Sequence, residues 1–369
     1  MNTSEGRALI SDEELSQAGA GGWPIHQFKD QAFCSPKSLR AWAQAFLPGR
    51  GWSGPLCHVV SREHGAIQAF VPFAQQKIAL FSIHSLAGYY WPFRTLFVAA
   101  QKAPGLAAAE ALGRELARRP PGAVLRFGPV SSRDAALHAV LRELTRQGWR
   151  YLCRETGAVF ELDLSQGMEG LKPKFSNSLI KNIEYSRRRL GKTVGEVSVE
   201  RHVMGRSLDI LDTLAGIESQ SWLAKKGGEL KFIGPANQRF WALMGEQPDG
   251  HSEAVFWVLR CSGQPVAFSA HLETETAVYI IANSYDEQWK SHSPGSILTF
   301  DVLQDAVARG KRLLDWGQGD SGYKQRWGAQ DASLLHDVMV FKPGLIGGLL
   351  AWVAKKALPS WTARLDSLA

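Results

Sequence analysis

Along the chain, short runs of apolar and β-branched residues alternate with stretches whose apolar positions recur every three to four residues. The first pattern predicts strands and the second predicts helices. Ser35-Pro36 opens a helix expected to run to Phe46. Serine suits the N-cap, and proline suits the first helical position, where its missing N–H would be unpaired anyway. Residues 56–61 and 66–73 flank Gly65 and read as a hairpin. Strands are expected at 78–86, 95–99, 124–127 and 158–164, and helices at 105–118 and 134–147. A dense aromatic turn, Tyr89 to Arg94, precedes the strand at 95–99.

The second half opens on a helix expected at 174–190, where Phe175, Leu179 and Ile183 form one narrow apolar stripe. Helices at 206–222 and 237–244 follow, then a second hairpin, 255–260 and 265–272, around Gly263, and a strand at 277–283. Residues 285–327 read as loop, helix, strand and short polar turn. Here Ser293-Pro294 starts a helix carrying Ile297, Phe300, Leu303 and Val307 at helical spacing, and Gly310 supplies the C-terminal stop between Arg309 and Lys311. A loop containing Gly295 thus opens onto a helix N-terminus, whose unpaired N–H groups and positive dipole end suit an anion. A short apolar strand, 313–316, comes next.

The two halves echo each other. Ala69-Phe70 and Ala267-Phe268 each follow a turn glycine. Pro104-Gly105 and Pro294-Gly295 each open a helix, which leads to Leu125-Arg126-Phe127-Gly128 and to Leu314-Asp315-Trp316-Gly317. The three matches keep their order at offsets of about 190 to 198 residues, which points to a tandem duplication.

Composition narrows the function classes. With 369 residues, 45% apolar and 21% charged, the chain is long enough for two domains with good cores. Its four cysteines are scattered and its ten histidines show no metal-binding spacing, so neither a disulfide framework nor a metal is expected. Residues 1–22 read as a disordered leader without a signal-peptide pattern, and no run reaches the ~20 apolar residues of a membrane span. A cytoplasmic protein is expected. The net charge is +7, of which +6 falls in residues 172–192, where seven basic side chains face Glu184 alone. Such a segment is either a solvated helix face or a surface for an anionic partner; a nucleic-acid binder would show a broader basic face.

The loop at Lys290, Ser293 and Gly295 resembles the acyl-CoA loop of GNAT-type acyltransferases. The longer string is Tyr285-Asp286, Ser293-Pro294-Gly295, Asp315-x-Gly317-x-Gly319 and Tyr323-Lys324. Together with Ser221-Trp222 and the basic helix, it resembles the BioF2-like (CelD/BcsL-type) GNAT family, akin to the Fem peptidoglycan-bridge transferases with two GNAT lobes. The resemblance covers roughly residues 170 to 342. It implies an α+β fold of two tandem GNAT-like lobes meeting at a cleft, each a mixed, mostly antiparallel sheet flanked by helices. The expected divisions are 23–165, 166–343 and a helical tail, 344–369.

The implied reaction is attack of an amine or hydroxyl on the thioester of acetyl-CoA or another acyl-CoA, without a metal. Lys290, Ser293, Gly295, Ser296 and Ile297 would hold the pyrophosphate, and backbone N–H groups near Ala282 and Asn283 would polarise the carbonyl. Asp315 or Asp286 would be the base, Tyr323 the acid and Lys324 an anion holder. Each has a structural alternative. Asp315 could pair with Lys311, Lys324 or Arg326, Asp286 could cap its loop, Tyr323 could simply pack, and His292 could be a solvated loop residue. Trp222, Tyr90 and Arg94 are candidates for the acceptor, a small molecule or glycan-type precursor of the envelope or of exopolysaccharide. Two alternatives stay open: a Fem-like transferase using aminoacyl-tRNA, and a binding module without catalysis. The tail from Leu345 to Ala354, followed by Lys355 and Lys356, reads either as a helix packed on the last sheet or as a weak peripheral contact with the inner membrane.

Overall fold

The computed structural model describes residues 35–362 apart from 48, 50, 79–80, 90–93, 99–105, 206–208, 247–251 and 321. The expected leader and Tyr90 lie outside the described residues. In chain order the elements are α1 (Pro36–Phe46), β1 (Trp52–Glu63), β2 (Ala66–Ile78), β3 (Phe81–Leu86), β4 (Phe97–Val98), α2 (Leu106–Arg118), β5 (Val124–Ser131), α3 (Ala135–Arg146) and β6 (Arg150–Asp163). There follow α4 (Gly167–Leu171), α5 (Leu179–Val194), β7 (Val197–Val203), α6 (Ile210–Ser219), α7 (Trp222–Lys225), α8 (Pro235–Glu246), β8 (Glu253–Cys261), β9 (Gln264–Glu273) and β10 (Ala277–Tyr285). The last four are α9 (Pro294–Ala308), β11 (Leu313–Gln318), β12 (Gln330–Phe341) and α10 (Leu345–Ala357).

The chain divides into two units. One comprises the described residues up to Ala158 and those from Ser333 onward; the other is Val159–Ala332. Each is built on a sheet that shares one run of pairings, a hairpin, a third antiparallel strand and a parallel strand, and the second has β7 as an additional edge strand. In the first, the strand order is β1-β2-β3-β5-β12-β6, with β4 against β2. The β1–β2 and β2–β3 ladders are antiparallel and β3–β5 is parallel. In the second, the order is β7-β8-β9-β10-β11-β6; the ladders from β7 to β10 are antiparallel and β10–β11 is parallel. In both, the helix joining the parallel strands, α2 or α9, packs its apolar stripe on the sheet, burying Leu112 and Leu116 in one case and Ile297, Val302 and Leu303 in the other. The duplication seen in the sequence is therefore a repeat of hairpin, third strand, helix and parallel strand.

Several expected boundaries move for local reasons. The run 78–86 is two strands, since Ile78 ends β2 and Phe81 begins β3. The expected helix at 174–190 starts only at Leu179, behind a 3-10 turn, Lys172–Lys174, that contains Pro173. Its stripe still buries Phe175, Leu179 and Ile183. The helix at 206–222 breaks after Ser219, where the Ser221 hydroxyl accepts from the Ala224 amide at 3.3 Å and starts α7 afresh. Strands β7 and β12 were not expected. The tail is a packed helix: Leu350, Ala351 and Ala354 of α10 lie against Leu152, Met339 and Phe341.

Candidate active site

Strands β10 and β11 run side by side for only three pairs, Ala277 with Leu313, Val278 with Leu314 and Tyr279 with Asp315. Beyond that rung they part. On β10, Ile281 is an extra residue between the pairs Ile280–His271 and Ala282–Ala270, a bulge that bends the strand while it stays on β9 as far as Tyr285. Strand β11 instead follows β6, where Gln318 pairs with Val159. The result is a wedge with its vertex at Tyr279 and Asp315. Backbone N–H and C=O groups of 281–285 line one side and those of 316–318 the other, with no ladder between them among the described residues. A gap at the carboxyl ends of parallel strands suits an extended ligand arm that pairs with the exposed backbone.

The chain leaves β10 into a 3-10 turn, Glu287–His292, which Asp286 caps. Its carboxylate accepts from the Gln288 amide at 3.0 Å and from Gln288 Nε2 at 2.6 Å. That commitment makes Asp286 the loop cap rather than a free base. Ser293 then adopts a left-handed conformation, φ 52°, costly for a residue with a Cβ, and turns the chain directly into α9. The expected side-chain cap is absent. Instead the Ser293 carbonyl accepts from the Ser296 and Ile297 amides at 3.0 and 3.2 Å, and the Ser293 amide donates to Lys290. Of the amides expected to hold pyrophosphate, Gly295 alone is left without a carbonyl among the described residues. It sits against the Tyr285 ring, with 3.4 Å between Tyr285 Cδ1 and the place a Cβ would take.

Cations gather round this turn. Lys290 is exposed. Arg189 of α5 reaches the Ser291 carbonyl at 3.4 Å, so the basic helix lies beside the loop. Lys225 pairs with Glu287 at 3.0 Å, which anchors α7 to the same loop and with it Trp222, exposed and covered by the Lys226 ammonium at 5.4 Å. Arg189 was not singled out in the sequence beyond its membership of the basic run.

The other face of the wedge holds Asp315, Tyr323 and Lys324. Asp315 is buried, and its Oδ1 accepts from the Gly317 amide at 2.5 Å. Glu161 of β6 stands opposite it in the antiparallel ladder, so a second carboxylate shares its face. Tyr323 bonds Thr299 of α9 through its hydroxyl at 2.8 Å, and burial pushes that hydroxyl above its usual pKa. The Lys324 ammonium donates to the carbonyls of Trp316, Gly317 and Gln318 at 2.8, 2.9 and 3.1 Å. All three of its hydrogens are thereby spent on the end of β11, which corrects the expectation of an anion holder. Burial lowers its pKa to about 8, with Asp315 and Asp320 working in the opposite direction.

A row of polar side chains on β9 had no part in the sequence reading. Ser269, His271 and Glu273 alternate along one buried face. The Ser269 hydroxyl lies 2.6 Å from His271 Nε2 and donates to Asn283 Oδ1 at 2.5 Å. Asn283, on β10 beside the wedge, is held by that bond. Farther along, Glu273 takes Arg309 at 2.6 Å and Arg201 at 3.1 Å. Burial would raise the Glu273 pKa, but His271 and Arg309 outweigh it and hold the carboxyl well below the usual range. The spacing Ser-x-His-x-Glu inside an apolar strand was the available signal, since polar groups buried in line need partners, which Ser269 finds in His271 and Asn283 and Glu273 in the two arginines.

In the first unit the equivalent gap is closed. Strands β3 and β5 pair in parallel only at His84–Leu125 and Ser85–Arg126. Beyond them Arg94 bridges the two chains, donating from Nε to the Gly88 carbonyl at 2.9 Å and from Nη1 to Gly128 at 2.6 Å. Arg94, expected to bind acceptor, is instead the clasp between these strand ends.

Comparison with known proteins bears on the domain and the fold. Residues 177–325 match the family model described as acetyltransferase (GNAT) domain. The chain therefore carries a GNAT-type acetyltransferase domain in its second unit. Over nearly its whole length it has the fold of tandem-GNAT proteins. FemX is similar at a TM-score of 0.60 and 10% identity, over 94% of this chain and 98% of that one. The C-terminal domain named as a lysylphosphatidylglycerol synthetase of Agrobacterium fabrum is similar at 0.54 and 15% identity, over 93% and 95%. A tandem GNAT protein from the clavulanic acid biosynthesis pathway is similar at 0.52 and 12% identity, over 92% and 98%. No curated protein sequence matches the chain.

Proposed function

We propose that the protein transfers an acyl group from acyl-CoA to an amine or hydroxyl, in the manner of the BioF2-like family, with the donor seated in the second unit. The observation that carries this reading is the wedge ending at Tyr279 and Asp315 beside the unpaired Gly295 amide at the start of α9. The pantetheine arm pairs with the exposed backbone of 281–285. The pyrophosphate lies at the α9 N-terminus, near Lys290 and Arg189. An N–H at 282–284 receives the thioester oxygen as it gains charge. The acceptor's nitrogen or oxygen attacks the carbonyl carbon, the carbon–sulfur bond breaks and CoA leaves as thiolate. Asp315, with Glu161 beside it, takes the acceptor's proton; Tyr323, kept protonated by burial, supplies one to the thiolate. The Trp222 face offers stacking surface for a sugar-like acceptor, an envelope or exopolysaccharide precursor.

A second reading, an aminoacyl-tRNA-dependent transferase, draws support from the exposed basic face of α5 beside the loop and from the likeness to FemX. The two separate in one assay. The protein is incubated with acetyl-CoA and a panel of amines and amino sugars while free thiol is followed, and in parallel with charged tRNA. Acceptor-dependent thiol release supports the acyl-CoA reading. Transfer from charged tRNA with no thiol release from acetyl-CoA overturns it.

A further inference from the structure

The C-terminal helix of the first unit has two apolar faces, and only one is used. Leu350, Ala351 and Ala354 pack on the sheet. On the other side Leu345, Ile346, Leu349 and Trp352 are 94%, 72%, 61% and 55% exposed. These four are among only seven large apolar side chains exposed in the described residues, and they fall at helical spacing on one strip of α10.

The charge around the strip has one sign. Residues 342–362 contain Lys342, Lys355 and Lys356 and no aspartate or glutamate. Lys356 lies over the Trp352 ring, its ammonium 4.0 Å from the centroid. The Arg150 guanidinium stands beside Gly348, 3.8 Å from where a Cβ would be. Four cations thus frame an apolar strip with nothing to neutralise them along the helix. A tryptophan at the edge of such a strip, with lysines at its end, is the arrangement of a helix lying in the headgroup plane, apolar side chains in the acyl region and ammonium groups at the phosphates. The helix has 13 residues, and no described helix is long and apolar enough to cross a bilayer.

We propose that this strip docks the protein on an anionic lipid surface, with α10 parallel to the membrane plane. The binding is peripheral and salt-sensitive, because the apolar area is that of four side chains and the rest of the attraction is electrostatic. The surface belongs to the first unit and stands whether or not the second transfers acyl groups.

The test is co-sedimentation of the full-length protein with vesicles of phosphatidylcholine alone or mixed with phosphatidylglycerol. Binding to the mixed vesicles at low salt is expected, with little to phosphatidylcholine alone and a steep loss as salt rises. Leu349→Glu with Trp352→Glu should weaken partitioning roughly tenfold or more. Lys355→Glu with Lys356→Glu should weaken it at low salt and leave little salt dependence. Circular dichroism and melting should change little in both, since the altered side chains point away from the sheet; the lysine pair keeps the test valid if the apolar pair misfolds. Absence of binding at low salt overturns the proposal, as does equal binding by wild type and both variants. So does sedimentation equilibrium showing a dimer that Leu349→Glu breaks, which makes the strip a self-interface. Binding that arises only after removal of residues 1–34 overturns it as well, because that segment is then the occupant.

Discussion

Tyr279 and Asp315 form the last rung that β10 and β11 share. Two residues farther comes the bulge at Ile281, beyond which β10 stays on β9, and β11 goes with β6. The same rung that ends the parallel ladder places a buried carboxylate at the vertex of the resulting gap. Its counterpart in the first unit ends in Arg94, which ties Gly88 to Gly128. Two copies of one fold thus differ in whether the gap is left open or clasped shut.

Replacing Asp315 separates charge from hydrogen bonding. In Asp315→Asn the new Oδ1 still accepts from the Gly317 amide, so that bond is kept while the negative charge is lost. Turnover should fall ~10²-fold or more, with acetyl-CoA affinity nearly unchanged. Steady-state kinetics beside a melting curve checks this: a large drop in Tm with proportionate loss of activity would assign Asp315 to structure alone.

Tyr323→Phe removes the hydroxyl that bonds Thr299 and leaves the ring edge-on to Trp327. Stability should fall by about 1 kcal/mol. If Tyr323 protonates the departing thiolate, kcat should fall ~10-fold or more and lose its decline at high pH, where the raised pKa of the phenol governs wild-type activity. Retention of that alkaline limb in the variant would exclude this role.

Arg94→Leu should affect folding rather than donor binding. Removing the guanidinium leaves the Gly88 and Gly128 carbonyls without this donor, a loss of about 1.5–3 kcal/mol for a charged hydrogen bond. Denaturant unfolding should show it. Acetyl-CoA affinity that changes in step would contradict the separation of clasp from site.

Glu273 sets part of the acid stability. Its folded pKa lies below the ordinary 4.5, so its contribution is complete above that value. As pH falls further the unfolded chain takes up a proton at this carboxyl before the folded protein does, and stability declines. Glu273→Gln should melt lower at neutral pH and lose less on acidification below about 4.5. A slope identical to wild type would show that other carboxylates govern the acid limb.

What the sequence disclosed was local. Ser35, Gly263 and the Pro294 helix start lie where cap, turn and first-turn chemistry put them. The duplication was legible because both halves keep the same turn and helix-start residues. The hidden features depend on partners distant in sequence. Strand β12 pairs with β5 roughly two hundred residues earlier, so its role is not written in its own residues. Lys324 looked like an anion holder until β11 placed three carbonyls round it, and Arg94 looked like a ligand group until β3 and β5 ended beside it. Ser293 was expected to cap through its side chain, yet the left-handed bend turns its carbonyl to the task. The Ser269–His271–Glu273 row was visible as spacing, but its meaning needed Asn283 from β10 and the arginines from β7 and the chain just beyond α9.

On this reading acyl-CoA binds in the wedge with its phosphates on the start of α9. Calorimetric titration of acetyl-CoA into wild type and Gly295→Asp tests it most directly. The substitution puts a carboxylate where the phosphates would lie and crowds Tyr285, at a residue whose backbone is not left-handed, so the fold should persist. Saturable binding at one site per chain is predicted for wild type, with affinity at least tenfold weaker in the variant, ~1.4 kcal/mol or more. No heat with wild type, or equal affinity in a folded Gly295→Asp protein, would contradict it.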